Sequence, residues 1–391
     1  MKKLILFAML GLFLQAPMTA NAQILKKLKN KVDKTMDKGL DKAEDEIYGK
    51  NKDSKSEEID TKDQDSESDT KSDIETLKVW SKYDFVPGET VIFEDNMEGE
   101  KNGEFPSQWD LKSGNVEIAK LGENTVINFP STESGQIVPL MKVKGDYLPE
   151  VFTLEFDAYF TEFCTKYTLY LYDKVNQKDS ERMGHIIISP KNLFITNYGS
   201  NDFEENKSYP YWQRIAISFN IRALKIYFGE NRISNIPNFK NNPTGITISS
   251  KQCHQDQYAA IKNIRIATGN LELYDKMITD GKIITNGIRF DSGKATLKPE
   301  SMGIINEIVK LMKQYPEIKF SIEGHTDSDG DEQFNKNLSE QRASTVVNTL
   351  IEQGIASARL ESKGFGEEVP IADNSTPEGK ANNRRVEFVK M

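Results

Sequence analysis

Apolar and polar residues alternate with period two through the middle of the chain. Over Val151–Phe160 the even positions Phe152, Leu154, Phe156, Ala158 and Phe160 are apolar, while Thr153, Glu155 and Asp157 intervene. Ile215, Ile217, Phe219 and Ile221 alternate with Arg214, Ser218, Asn220 and Arg222, and Leu224, Ile226, Phe228, Ile264 and Ile266 continue the pattern. One apolar face at this period predicts half-buried antiparallel strands, with Glu155 and Asp157 turned to solvent. Turn signals from Pro87-Gly88 to Gly269 separate the strands, as in an all-β sandwich or barrel. A membrane barrel is the weaker form, because strands such as Arg214–Arg222 are short and end in charges.

From about Tyr274 the period switches. Lys282–Phe290, Lys319–Glu323, Leu360–Gly366 and Arg385–Lys390 read as strands. Pro299–Gln314 reads as a helix with Ile304, Ile308, Leu311 and Tyr315 as its stripe. Asn337 with Glu340 three residues on predicts a capping-box start for a second helix, which buries Leu338, Val346, Val347, Leu350 and Ile351 and stops at Gly354. The order β-α-β-α-β-β predicts a two-layer α/β sandwich.

The N-terminus is of another kind. Met1-Lys2-Lys3, the apolar run Leu4–Leu14 and Ala20-Asn21-Ala22 predict a signal peptide over 1–22, with the mature chain beginning at about Gln23, outside the cytoplasmic membrane. No cysteine follows to carry a lipid, since the two cysteines are Cys164 and Cys253. Over 23–50 an apolar stripe (Ile24, Leu28, Val32, Met36, Leu40) runs among lysines. This lysine-rich arm is either an interfacial or partner-binding helix or a solvated one. Residues 51–78 hold ten acids and five lysines with few apolar residues, which predicts an acidic disordered linker. A β-sandwich domain over 79–273 and an α/β domain over 274–391 complete the division.

Composition narrows the chemistry. With 51 Lys+Arg against 60 Asp+Glu in 391 residues, the net charge of −9 argues against a nucleic-acid partner. Three histidines and two cysteines leave little for a metal. Cys164 and Cys253 could pair or stand as separate buried thiols. Asp327-Ser328-Asp329-Gly330-Asp331 imitates a calcium loop but has Glu332 and Leu338 where glycine and glutamate are required. Gly287 to Gly293-Lys294 imitates a phosphate loop with the wrong spacing and Ala295 in place of Ser or Thr. Glu155 and Asp157 suggest a glycosidase pair, yet the third acid of laminarinase-like jelly rolls is misplaced here at Glu162.

The segment Phe93-Glu94-Asp95-Asn96-Met97 followed by Gly103-Glu104-Phe105-Pro106-Ser107-Gln108-Trp109 loosely resembles the opening of concanavalin/laminin-G-like jelly rolls. That implies a carbohydrate- or protein-binding sandwich, or one used only as a docking block. Gly324-His325-Thr326-Asp327, Gly330, Asn335, Leu338 to Ala343, Gly364-Phe365-Gly366, Pro370, Asn374 and Asn382 to Phe388, opening with Phe290-Asp291, closely resemble the OmpA-like peptidoglycan-binding domain. The resemblance spans roughly Tyr274 to Met391. It implies non-covalent binding of the diaminopimelate-containing stem peptide, with no catalytic residue, metal or cofactor. Asp327 would accept from the ammonium and Arg342 would grip the carboxylate with its planar fork. Asp291, Thr326, Asn335 and Arg384 match further positions around the ligand, although Arg384 and Arg385 point to opposite faces and either could reach it. The chain is then expected in the periplasm, holding the cell wall to the outer membrane or to an envelope complex. The alternative is a glycan-binding or glycan-hydrolysing protein acting through the middle domain, with the C-terminal domain only as wall anchor.

Overall fold

In the computed structural model, which describes residues 83–143, 145–162, 165–172, 182–205, 207–252, 257–269 and 273–391, the alternating middle segments build two sheets. The signal peptide, the arm, the linker, Cys164 and Cys253 lie outside the described residues. The first sheet runs β13 (Asn231–Ile236), β12 (Ala223–Phe228), β11 (Tyr211–Asn220), β6 (Val151–Phe160), β15 (Ala260–Thr268), β4 (Asn124–Asn128), β3 (Glu117–Leu121), and β1 (Thr90–Asp95) also pairs with β15. The second runs β10 (Gly199–Asp202), β9 (Asn192–Ile195), β8 (Arg182–Ile188), β7 (Tyr167–Tyr172), β14 (Gly245–Ser250), β5 (Gly135–Pro139), β2 (Trp109–Ser113). Neither strand order closes on itself.

β6 and β11 pair antiparallel over their whole length, Val151 opposite Asn220 and Phe160 opposite Tyr211. This register puts Phe152, Leu154, Phe156, Ile215, Ile217 and Phe219 on one face, where they share a single core with Tyr167, Leu169, Ile186, Ile188, Ile246 and Ile248 of the second sheet. Each fully buried side chain of this size contributes about 1.5–3 kcal/mol relative to exposure.

The C-terminal region forms a four-stranded sheet in the order β16 (Lys282–Thr285), β19 (Val386–Lys390), β17 (Phe320–His325), β18 (Leu360–Gly366), with β17 and β18 parallel. Helices α2 (Met302–Gln314) and α3 (Glu332–Glu352) close its core through Ile304, Ile308, Leu311, Val346 and Leu350 against Ile283, Phe320, Ile322 and Phe388. Two helices that the sequence reading did not anticipate are α1 (Leu273–Asp280) and α4 (Pro377–Asn383). The Thr376 side chain caps α4 by accepting from Gly379 N at 3.1 Å, and Pro377 opens its first turn.

Other expectations need correction. α3 begins five residues before Asn337, because Asp331 caps it by accepting from Phe334 N at 2.9 Å. Glu340 is drawn instead to β18, where it accepts from Gly364 N at 2.5 Å and Ser362 Oγ at 3.1 Å. Ile351 is 38% exposed rather than buried. β16 ends at Thr285 instead of running to Phe290.

The outer face of the first sheet is covered over much of its middle. Tyr83 and Phe85 cluster there with Ala216 and Tyr227, and the Phe85 carbonyl lies so close to Gly303 of α2 that a Cβ at Gly303 would collide with it. Val91 packs with Ala267 and Ala381, and its N–H and carbonyl are both satisfied by the Asn382 side chain at 3.0 Å. Asn286 Nδ2 donates to the Glu89 carbonyl at 2.8 Å. Period two marks a polar face but does not say whether water or another part of the chain satisfies it. Among the described residues, no helix is long and apolar enough to cross a membrane.

Candidate ligand-binding site

The site begins where α3 lies directly on the ends of β17 and β18. A Cβ at Gly324 would meet the Ser339 carbonyl, and one at Gly364 would meet Glu340 N. Ser339 is fully buried there, and its Oγ accepts from Gly366 N at 2.8 Å. This approach brings Asn335 and Arg342, two helical turns apart on one face, beside the loop that follows His325. Asn335 Nδ2 donates to the Asp329 carbonyl at 3.0 Å, to Glu367 Oε2 at 2.7 Å and, more weakly, to the Asp327 carbonyl at 3.5 Å. The loop is therefore pinned from the helix side.

Asp327 is 8% exposed, and its carboxylate accepts from Asp329 N at 3.2 Å and from Arg384 Nη1 at 2.5 Å. Arg384 also reaches Glu94 of β1 through Nη2 at 3.4 Å. Arg385 turns the other way. It is buried and donates to Glu387 Oε1 at 2.7 Å and to the Val369 carbonyl at 3.0 Å, so that of the two arginines bordering the cleft Arg384 is the one paired with Asp327. Arg342 donates through Nε to the Lys294 carbonyl at 3.0 Å and through Nη2 to the Asp291 carbonyl at 3.3 Å. Its guanidinium stands 5.1 Å from the centre of the Phe290 ring. Burial pushes the Arg342 pKa down; Asp327 opposes that shift and Arg384 adds to it.

Thr326, Asp327, Asn335, Arg342 and Arg384 line one cleft of about 920 Å³. Asp291 supports it through its carbonyl on Arg342. Thr326 is 5% exposed, with its N–H donating to the Gly366 carbonyl at 2.9 Å. An anion and a forked cation on one wall can take a ligand that carries an ammonium and a carboxylate.

The opposite wall comes from the β-rich region, which the sequence reading did not connect with this site. Glu94, the loop from Asn96 to Glu100, and Arg265 of β15 line the same cleft. Buried Asp95 fixes that loop by accepting from Met97 N at 3.0 Å and from Trp109 Nε1 at 2.7 Å. The motif around Phe93 to Trp109 carried the only available signal, and nothing local in it points to residue 384.

The pair Glu155 and Asp157 is not a solvated face. Glu155 is fully buried, accepts twice from Arg289 Nη2 at 2.8 and 2.9 Å and is ion-paired with Arg214. Asp157 accepts from Asn263 Nδ2 at 2.6 Å, and burial pushes its carboxyl above the usual range. A carboxylate committed to two guanidiniums is a poor nucleophile or general acid. Glu323, His325 and Glu387 bring ligand-type atoms within 4.8 Å of one another. Lys282 and Arg385 each hold Glu387 at 2.7 Å, so two cations already balance that donor set and it does not fit a divalent ion.

Residues 289–384 match the family model described as the OmpA family. The C-terminal domain is an OmpA-family domain. Similar proteins include the probable lipoprotein YiaD of Escherichia coli, 41% identical over 128 residues, or 30% of this chain and 58% of that protein. Outer membrane porin F of Pseudomonas fluorescens is 42% identical over 100 residues, 26% of this chain and 31% of that protein. The peptidoglycan-binding protein ArfA of Mycobacterium tuberculosis is 41% identical over 107 residues, 27% of this chain and 33% of that protein. The chain thus spans between about three-tenths and three-fifths of the length of these curated relatives.

Proposed function

We propose that this protein binds peptidoglycan without covalent chemistry and holds it to the outer membrane or to an envelope complex. The observation that carries the reading is that Asp327 and Arg342 line the same cleft, with Arg384 beside the aspartate. Diaminopimelate ends in an ammonium and a carboxylate on one carbon, and it matches that pair. Asp327 takes the ammonium, Arg342 grips the carboxylate, Asn335 keeps the Asp327 loop in place, and Asp291, Thr326 and Arg384 complete the surround. The relatives named for the outer membrane and for peptidoglycan binding support an envelope location, and the signal-peptide pattern over 1–22 supports export to the periplasm.

The two antiparallel sheets over one core support reading the middle region as a jelly-roll-like sandwich. Its outer face is spent on the C-terminal domain, so that region acts as part of the binding unit rather than as a separate glycan-hydrolysing module. Co-sedimentation of the full chain with purified sacculi tests the function. Binding that free diaminopimelate competes away is expected; protein that stays in the supernatant would refute it.

A further inference from the structure

The cleft has a second charged end, built by the β-rich region. β15 carries a bulge: Lys262 pairs with Asp157, but Arg265, three residues on, pairs with Glu155, and Asn263 in between has φ 53°. The extra residue sets Arg265 on the outer face, between Glu155 of β6 and Glu94 of β1. There Arg265 is 6% exposed and lines the cleft. Its Nε stands 3.6 Å from Glu94 Oε2, an ion pair too long for a hydrogen bond. Among the described residues, neither Nε nor Nη2 of Arg265 has a hydrogen-bond partner.

Glu94 Oε2, the acceptor nearest to Arg265, is likewise buried without a hydrogen-bond partner among the described residues, and arginines and carboxylates alternate around the cleft. Arg289 and Arg214 are committed to Glu155, and Arg384 divides its donors between Asp327 and Glu94. Burial pushes the Arg265 pKa down to about 9, Arg289 adds to the shift, and Glu94 opposes it. Buried donors without partners are costly unless something accepts from them, and a guanidinium among other guanidiniums favours an anion.

We propose that Arg265 is a second subsite of the cleft, which receives a carboxylate of the ligand other than the one held by Arg342. This rests on the peptidoglycan reading and names which peptides the site selects. A stem peptide with diaminopimelate also contains a γ-linked glutamate, whose α-carboxylate is either free or amidated. The free form offers Arg265 a charge-assisted, two-pronged acceptor; the amide does not.

The test is isothermal titration of the full chain with two synthetic tripeptides, alanyl-γ-glutamyl-diaminopimelate and the same peptide with the glutamyl α-carboxylate amidated. The wild type is expected to bind the carboxylate form at least about tenfold tighter, the order of one charged hydrogen bond. Arg265→Met is expected to bind both forms as the wild type binds the amide, while Arg342→Ala weakens both by the same factor. Equal affinity of the wild type for the two peptides would overturn the subsite, with no variant needed, and so would a preference retained in Arg265→Met. A wild type that binds neither peptide would overturn the peptidoglycan reading itself, and the subsite with it.

Discussion

Arg289 donates twice from Nη2 to the carboxylate of Glu155, at 2.8 and 2.9 Å, across the junction between the β-rich region and the C-terminal domain. Glu155 is fully buried and also serves Arg214. Removing the carboxylate alone takes from Arg289 its acceptor and leaves Arg214 with Glu300, two largely covered guanidiniums short of a partner. Glu155→Ala should therefore lower the unfolding free energy by about 3–5 kcal/mol, read from the midpoint and slope of urea denaturation. The Glu155→Met/Arg289→Met pair should cost less than the sum of the single changes. A loss below about 1 kcal/mol for Glu155→Ala, as for an exposed pair, would show that the junction does not depend on this cluster.

Asp327 and Arg384 face each other at 2.5 Å but play different parts. In the proposed reading Asp327 is the anion that takes the ligand's ammonium, whereas Arg384, about a third exposed, positions it. Asp327→Asn should weaken tripeptide binding about tenfold or more, the scale of a charge-assisted contact. Arg384→Ala should weaken it less, because Asn335 still holds the loop. Titration calorimetry on the two variants decides the order, and a larger loss at Arg384 would reverse the assigned roles.

His325 stacks on Phe365 with ring centres 5.3 Å apart and is 5% exposed. Burial pushes its pKa from 6.5 to about 4, and Arg385 adds to the shift while Glu387 opposes it. The ring is neutral in the fold and protonates more readily once unfolded. Its contribution is therefore complete above pH 6.5, falls as pH drops from 6.5 towards 4, and is gone below that. Its size is on the order of 3 kcal/mol. His325→Phe should flatten stability over this window relative to the wild type, measured by denaturation at a series of pH values. Parallel pH profiles would remove His325 from the account.

The half of the site formed by the C-terminal domain was legible because its residues lie in one motif, from Gly324 to Arg342, with Asn382 to Phe388 returning beside it. The alternation expected over Arg385–Lys390 left Arg384 and Arg385 open; both border the cleft, Arg384 pairing with Asp327 there and Arg385 with Glu387 and the Val369 carbonyl. The other wall was not legible. Glu94 reaches both Arg384 and Arg265 through tertiary packing, and the bulge at Asn263 sets the face on which Arg265 emerges. The polar positions of β6 read as solvent-facing because a buried ion cluster and a hydrated face share one pattern of charges. The helix start at Asp331 was missed for a similar reason: Glu340 fits a capping box locally but finds β18 in the fold.

In the proposed function Arg342 grips a carboxylate of the peptidoglycan peptide with its planar fork. The most direct measurement is the Kd of the full chain for alanyl-γ-glutamyl-diaminopimelate by titration calorimetry, compared among wild type, Arg342→Ala and Arg342→Lys at matched fold by circular dichroism. Loss of the fork should raise Kd at least about tenfold in both variants, because lysine keeps the charge without the two parallel donors. An unchanged Kd in a folded Arg342→Ala protein would contradict the account.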